Sequence, residues 1–188
     1  MVKVIQLFKN ESLLIKRAAA GNREAQQKIY ELYSPKMLSL CRRYIKDLHH
    51  AEEAMLNGFF KVFTHLKEFK SEGSFEGWIR KIMVRESISF LRQQKKLEFT
   101  EEIENGTAEV YNNINSEMEV AEIQKMIDDL PEGYKLVFIL YAVEGYKHSE
   151  ISEMLNITEG TSKSQLFKAR KMLQEKLKSN NLSSYGTN

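Results

Sequence analysis

The sequence predicts an all-α protein built from two small helical domains, and three observations carry that prediction. Only 9 glycines and 2 prolines occur in 188 residues, too few for the repeated turns of an all-β fold. Apolar residues recur at three- and four-residue intervals in both halves of the chain, the spacing of a buried helix stripe. Between the halves lies a segment that lacks this spacing and has no basic residue. A hydrophobic content of 42% supports real cores and excludes a wholly disordered chain. The single cysteine, Cys41, cannot form an intramolecular disulfide, and the start MVKVIQLFKN has an apolar run too short and interrupted for a signal peptide or membrane span. A soluble, cytoplasmic protein is the expectation.

The first domain is expected over residues 11–97. Leu13, Leu14 and Ala18 open an apolar face that Ile29, Leu32 and Tyr33 continue. Ser34 followed by Pro35 predicts a helix start, a capping residue before the residue best tolerated at the first helical position, with Leu38, Leu40, Cys41, Tyr44 and Ile45 inside. After Asp47, His49 and His50, the series Met55, Phe59, Val62, Leu66 predicts a third helix buried along one stripe and stopping near Lys70. Ser71-Glu72-Gly73-Ser74 is turn chemistry. Trp78, Ile79, Ile82, Met83 and Phe90 mark a fourth helix that ends in Gln93-Gln94-Lys95-Lys96.

The net charge of +2 conceals a strong segregation. Residues 11–97 hold 17 basic and 10 acidic side chains. Residues 98–116 hold no base and five acids, Glu98, Glu101, Glu102, Glu104 and Glu109, and read as a flexible acidic linker. Residues 117–158 carry 3 basic against 9 acidic residues, and 159–178 carry 6 against 2. Two basic patches on two domains are the electrostatic footprint of a protein that holds a polyanion at two places.

The second domain is expected over 117–178, with a polar tail at 179–188. Val120, Ile123, Ile127 and Leu130 define a helix ended by Pro131, and Leu136, Leu140 and Val143 carry the next to Gly145. Two further helices, 148–155 and 159–178, are separated by Asn156-Ile157-Thr158. Asn156 suits the left-handed position after a helix and Thr158 the cap of the next. That is helix-turn-helix spacing. In the last helix Ser162, Leu166, Ala169, Leu173 and Leu177 form the inner face, leaving Thr161, Ser164, Lys168 and Lys171 outward with Lys163 and Phe167 beside them. Hydroxyls and lysines on such a face suit the DNA major groove, where lysine can donate to guanine O6 and N7.

At these residues the chain resembles a family. Glu150-Ile151-Ser152, Leu155-Asn156-Ile157 and the run Gly160 to Arg170, with Leu130-Pro131 upstream, resemble the C-terminal DNA-binding domain of bacterial extracytoplasmic-function (ECF) sigma factors. Ala51-Glu52-Glu53, Phe59-Phe60-Lys61-Val62-Phe63, Phe75 to Ile82 and Leu91-Arg92 resemble the N-terminal domain of the same family, in the same order. The resemblance implies a transcription initiation factor whose partners are core RNA polymerase and promoter DNA, with an anti-sigma factor as the expected inhibitor. By the same resemblance the helix bearing Glu52, Glu53, Leu56, Asn57 and Phe60 docks on a coiled coil of the largest polymerase subunit. Ser71, Gly73, Ser74, Arg80, Lys81, Arg85 and Arg92 meet the minus-ten DNA, while Thr161, Lys163, Ser164, Phe167, Lys168 and Lys171 read the minus-thirty-five element. The acidic linker would run near the RNA exit path.

Several positions depart from the family pattern. Leu56 and Asn57 stand where Gln followed by Asp or Glu is usual, Arg85 and Ser89 where Asn and Asp are common, and Gln165 and Lys168 where arginines are frequent. Ser71, Gly73 and Ser74 are expected to line a pocket for an unstacked base. Phe75 and Trp78, spaced i and i+3, are read as core. So are Met37, Met55, Met83, Met118, Met126, Met154 and Met172.

Other function classes fall away. His49, His50, Glu53 and Cys41 do not supply a tetrahedral metal set with a second cysteine, and no Walker loop, dinucleotide fingerprint, nucleophile elbow or paired-carboxylate arrangement occurs. No catalytic residue, cofactor, metal or small-molecule substrate is expected. Two alternatives remain: a stand-alone helix-turn-helix regulator, which leaves the first domain's motifs unexplained, and a sigma mimic that titrates an anti-sigma factor, which has no need of a base-reading face.

Overall fold

A computed structural model describes the backbone of residues 2–98 and 120–184 and the side chains of residues 11–94 and 122–177. Among the described residues every regular element is helical. The chain divides into two compact units, one within residues 1–102 and one within 103–188. The expected acidic linker lies outside the described residues, apart from Glu98 at the end of a helix, as does Met118.

In the first unit α1 (Val2–Ala19) turns at Gly21, whose φ of 86° is a conformation glycine enters without a Cβ penalty. Asn22 then caps α2 (Arg23–Tyr44), its Oδ1 accepting the Ala25 N–H at 2.9 Å. The helix runs straight through Ser34 and Pro35, so the helix start expected there does not exist. A proline inside a helix removes one hydrogen bond and costs about 3 kcal/mol. Burial of Ile29, Tyr33, Met37, Leu40, Cys41 and Tyr44 along one continuous stripe offsets that cost on both sides of the proline. Leu13 and Leu32, expected on the inner face, are each 58% exposed, because the buried stripe follows Ala18, Ile29 and Tyr33 instead.

Asp47 caps α3 (Leu48–Thr64) by accepting the His50 N–H at 2.9 Å, and Ala51, Met55, Phe59 and Val62 are buried from it. A single 3₁₀ turn, Leu66–Glu68, leads to the loop before α4 (Phe75–Glu98). Helices α2, α3 and α4 pack on one another in a triangle around Met37, Leu40, Phe59, Ile79, Met83 and Val84. The Met83 side chain of α4 packs directly onto Gly58 of α3, so closely that a Cβ there would collide with Met83 Sδ.

The second unit begins with α5 (Val120–Asp128), from which Met126 is buried while Ile123 is 45% exposed. Helix α6 (Glu132–Phe138) continues into a π-helical turn, Ile139–Val143, where Glu144 N–H donates to Ile139 O at 3.0 Å. The wider turn rotates the following residues out of the helical phase, so Leu136 and Leu140 are buried as expected but Val143 is 46% exposed. Helices α7 (His148–Leu155) and α8 (Glu159–Ser184) complete the unit, both packing on the α6 segment. Burial falls off along α8: Ser162, Leu166 and Ala169 are buried, Leu173 is half-buried and Leu177 is 36% exposed, because 26 residues outrun the 7 to 9 of the helices they pack on. The helix also takes in residues 179–184 of the segment expected as a polar tail.

Candidate nucleic-acid interface

In the first unit the loop between Phe69 and Phe75 is shaped by two devices. Ser71 sits at φ 58°, a left-handed conformation uncommon for a residue with a Cβ. Ser74 Oγ accepts the Gly77 N–H at 3.0 Å, capping α4. A Cβ on Gly77 would lie 2.9 Å from that oxygen, so the cap needs a bare Cα there. Behind the loop Phe69 packs on Phe75 and Trp78 at ring distances of 5.1 and 5.5 Å. Phe75 is buried as expected, whereas Trp78 is half-buried. With Phe69, Gly73, Ser74 and Lys81, Trp78 lines an open cleft of about 400 Å³. The cleft thus joins a small polar rim to an aromatic wall. Trp78 is not legible in the sequence as a wall residue, because its i, i+3 spacing from Phe75 is that of a core stripe, and no local pattern marks Phe69 as its neighbour.

Lys81, Arg85 and Arg92 are exposed and share one stripe of α4 that starts at this cleft. Arg80 is half-buried and lies about 100° around the helix from Lys81, so the structure does not bring it into that stripe. On α3 the exposed face carries Glu53, Leu56, Asn57 and Phe60, with half-buried Glu52 at its edge. Phe60 is 73% and Leu56 53% exposed, about a third of a turn around the helix from the buried Met55, Phe59 and Val62. Two large apolar side chains side by side in solvent are a docking feature rather than a core one.

Tyr33, Cys41 and Asp47 of this unit are displaced from their ordinary ranges. Burial pushes the Tyr33 phenol well up, and its hydrogen bond to Glu11 adds to that. Burial likewise raises the Cys41 thiol to about 11. Asp47 is lowered, chiefly by the His50 N–H it accepts.

In the second unit Asn156 has φ 53° and ψ 49°, the left-handed stop expected after α7. Thr158 Oγ1 accepts the Thr161 N–H at 3.0 Å, so the turn residues of the helix-turn-helix act as the sequence predicts. His148 Nδ1 lies 2.8 Å from Ser162 Oγ, tying the start of α7 to the buried side of α8. On the outer face Lys163, Ser164, Phe167, Lys168 and Lys171 are exposed and Thr161 is half-exposed. Phe167 is 69% exposed, beside the lysines as expected.

The three outer lysines are held differently. Lys163 lies 3.8 Å from Glu159 and Lys171 3.9 Å from Glu175, ordinary helix-surface pairs. Lys168 makes no carboxylate pair among the described residues; its ammonium rests over the Tyr134 ring, 5.8 Å from the centroid. Arg170 lies 5.5 Å over Tyr141, whose ring stacks on His148 at 4.6 Å. Tyr134, Tyr141 and His148 lie outside the recognition helix, and nothing in their spacing marks them as its neighbours.

Comparison with known proteins agrees with this geometry. Residues 29–97 match the sigma-70 region 2 family and residues 121–173 the sigma-70, region 4 family, together about two thirds of the chain. The chain is 26% identical over 177 residues to the ECF RNA polymerase sigma factor SigW of Bacillus subtilis, covering 87% of this chain and 95% of that protein. It is 25% identical over 180 residues to the ECF RNA polymerase sigma-E factor of Haemophilus influenzae, covering 89% and 95%. Among solved structures the fold resembles the sigma factor RpoE of Bartonella quintana, crystallised with the anti-sigma factor NepR, at a TM-score of 0.52 and 18% identity over 81% of this chain and 96% of that one. Two sigma-70 regions in order on two helical units, with full-length ECF relatives, place this chain in the sigma-70 family as an ECF RNA polymerase sigma factor. No helix among the described residues is long and apolar enough to cross a membrane.

Proposed function

We propose that this sigma factor works in the cytoplasm by binding core RNA polymerase and placing it on promoters through two DNA-contacting faces, with no reaction of its own. One observation carries the reading: each sigma-70 region lies on its own helical unit, and each unit leaves uncovered the side chains such a role requires. Glu53, Leu56, Asn57 and Phe60 form the polymerase-docking face, with Phe60 and Leu56 as its apolar anchors. Lys81, Arg85 and Arg92 hold phosphates beside the minus-ten element. Gly73 and Ser74 form the rim of a pocket that takes an unstacked base against Phe69 and Trp78, whereas Ser71, in the same loop, lines the neighbouring cleft beside Glu11 and Ile15 instead. Thr161, Lys163, Ser164, Phe167, Lys168 and Lys171 enter the major groove at the minus-thirty-five element, Lys168 reading a guanine. An anti-sigma protein, of the kind that accompanies the Bartonella quintana relative, is the expected antagonist.

Co-purification with core polymerase followed by run-off transcription tests this. The reading expects a stable complex, promoter-dependent transcripts, and loss of both in Phe60→Asp while duplex binding by the second unit persists. Duplex binding without polymerase association would make the chain a stand-alone regulator. Association with neither polymerase nor DNA would leave only the role of a mimic.

A further inference from the structure

We infer that Tyr134 is a specificity-determining residue that acts through Lys168, its ring serving as the platform on which the base-reading ammonium is aimed. The inference rests on the reading of Lys168 as a base contact. Lysine is a point charge on a flexible stem and lacks the planar fork by which arginine fixes its own direction on a guanine edge. A base-reading lysine therefore discriminates only as well as something else orients it. Here that support is visible: the ammonium lies 5.8 Å from the Tyr134 centroid, within the range of attraction to the ring face. Its two outer-face neighbours, by contrast, each sit near a carboxylate of their own helix.

The seat is part of the packing between α6 and α8. Tyr134 is half-buried in the first turn of α6, so its ring is anchored rather than free to follow the lysine. Gly133, just before it, faces Gln165: a Cβ there would lie 3.2 Å from Gln165 Nε2 and 3.5 Å from Oε1. Gln165 and Lys168 are i and i+3 on α8 and so adjoin on its surface. Residues 133 and 134 together thus seat the two α8 side chains, one by leaving room and one by offering a π face.

The test is binding by the full chain to a duplex library randomised across the minus-thirty-five element at fixed salt, with Tyr134→Leu, Tyr134→Phe, Lys168→Ala and the pair Tyr134→Leu with Lys168→Ala. Tyr134→Leu is expected to flatten the preference at the base read by Lys168 by about two- to fivefold, the size of an exposed cation–ring contact. Other positions should be unchanged, Tyr134→Phe should retain the wild-type preference, and Tyr134→Leu should add nothing once Lys168 is alanine. A uniform loss across the library, or an effect of Tyr134→Leu that persists without Lys168, overturns the inference. If Lys168→Ala itself leaves every base preference unchanged, the base-reading role fails first and the inference fails with it. The Lys168 ε-methylene proton shifts in the free chain provide a readout independent of DNA. Ring shielding is expected in the wild type and in Tyr134→Phe, and its absence in both contradicts the seat.

Discussion

His148 Nδ1 and Ser162 Oγ meet at 2.8 Å across the helix-turn-helix, joining the first turn of α7 to a fully buried position on α8. The bond fixes the start of the supporting helix against the inner side of the recognition helix, where Ser162 replaces a purely apolar contact. Ser162→Ala should lower stability by about 1 kcal/mol, the net worth of a neutral hydrogen bond. His148→Phe should keep the ring against Tyr141 and cost no more in the Ser162→Ala background than packing alone. Chemical denaturation of the four proteins of this cycle measures the coupling, and strictly additive losses would show that the pair does not interact.

The turn itself gives a second prediction with opposite signs. Asn156→Gly should be neutral or slightly stabilising because its backbone is already left-handed, while Asn156→Val should cost about 1–2 kcal/mol. Thr158→Ala removes the acceptor for the Thr161 N–H and should cost about 1 kcal/mol. Thermal melts read all three.

Buried Cys41 contributes the first part of the alkaline arm of the stability profile, with the raised Tyr33 phenol adding to it above pH 10. Its thiol is raised from 9.0 to about 11, so above pH 9 the unfolded chain loses this proton first and stability falls with rising pH up to about 11. Cys41→Ala should flatten that slope relative to the wild type. Urea midpoints between pH 8 and 11 test it, and parallel profiles would contradict the assignment.

Along α4 the structure separates bases that the sequence lists together. Replacing Lys81, Arg85 or Arg92 by alanine should each lower the log–log salt slope of DNA binding by about 1, without changing sequence preference. Arg80→Ala, off the exposed stripe, should leave the slope unchanged. Equal effects for all four would mean that the helix meets DNA on a broader face.

Local chemistry decided what the sequence revealed. The caps Thr158 and Asn156 and the buried stripe Met55, Phe59, Val62, Leu66 are legible because each depends on neighbours within a few residues. Pro35 misled because its local preference for a helix start is overridden by burial on both sides, a tertiary effect. Val143 misled because a π turn shifts the helical phase, and no residue type announces that turn. On the functional faces, periodicity found the outward lysines of α8 but not Tyr134, which lies 34 residues from Lys168 in sequence and meets it only through the packing of α6 on α8. Trp78 was assigned to the core for a related reason: its spacing records a stripe, while its half-exposure beside the Ser74 loop is set by the turn before it.

The most direct test of the whole account is run-off transcription by purified core polymerase on a promoter library, with this chain or its Lys168→Gln variant. The account predicts transcripts that require the chain, from promoters constrained in two separate blocks. In the variant a single position of the upstream block should shift from G towards A, because glutamine pairs with adenine N6 and N7, with the downstream block unchanged. Transcription no higher than that of core polymerase alone, from duplexes the chain nonetheless binds, would contradict it.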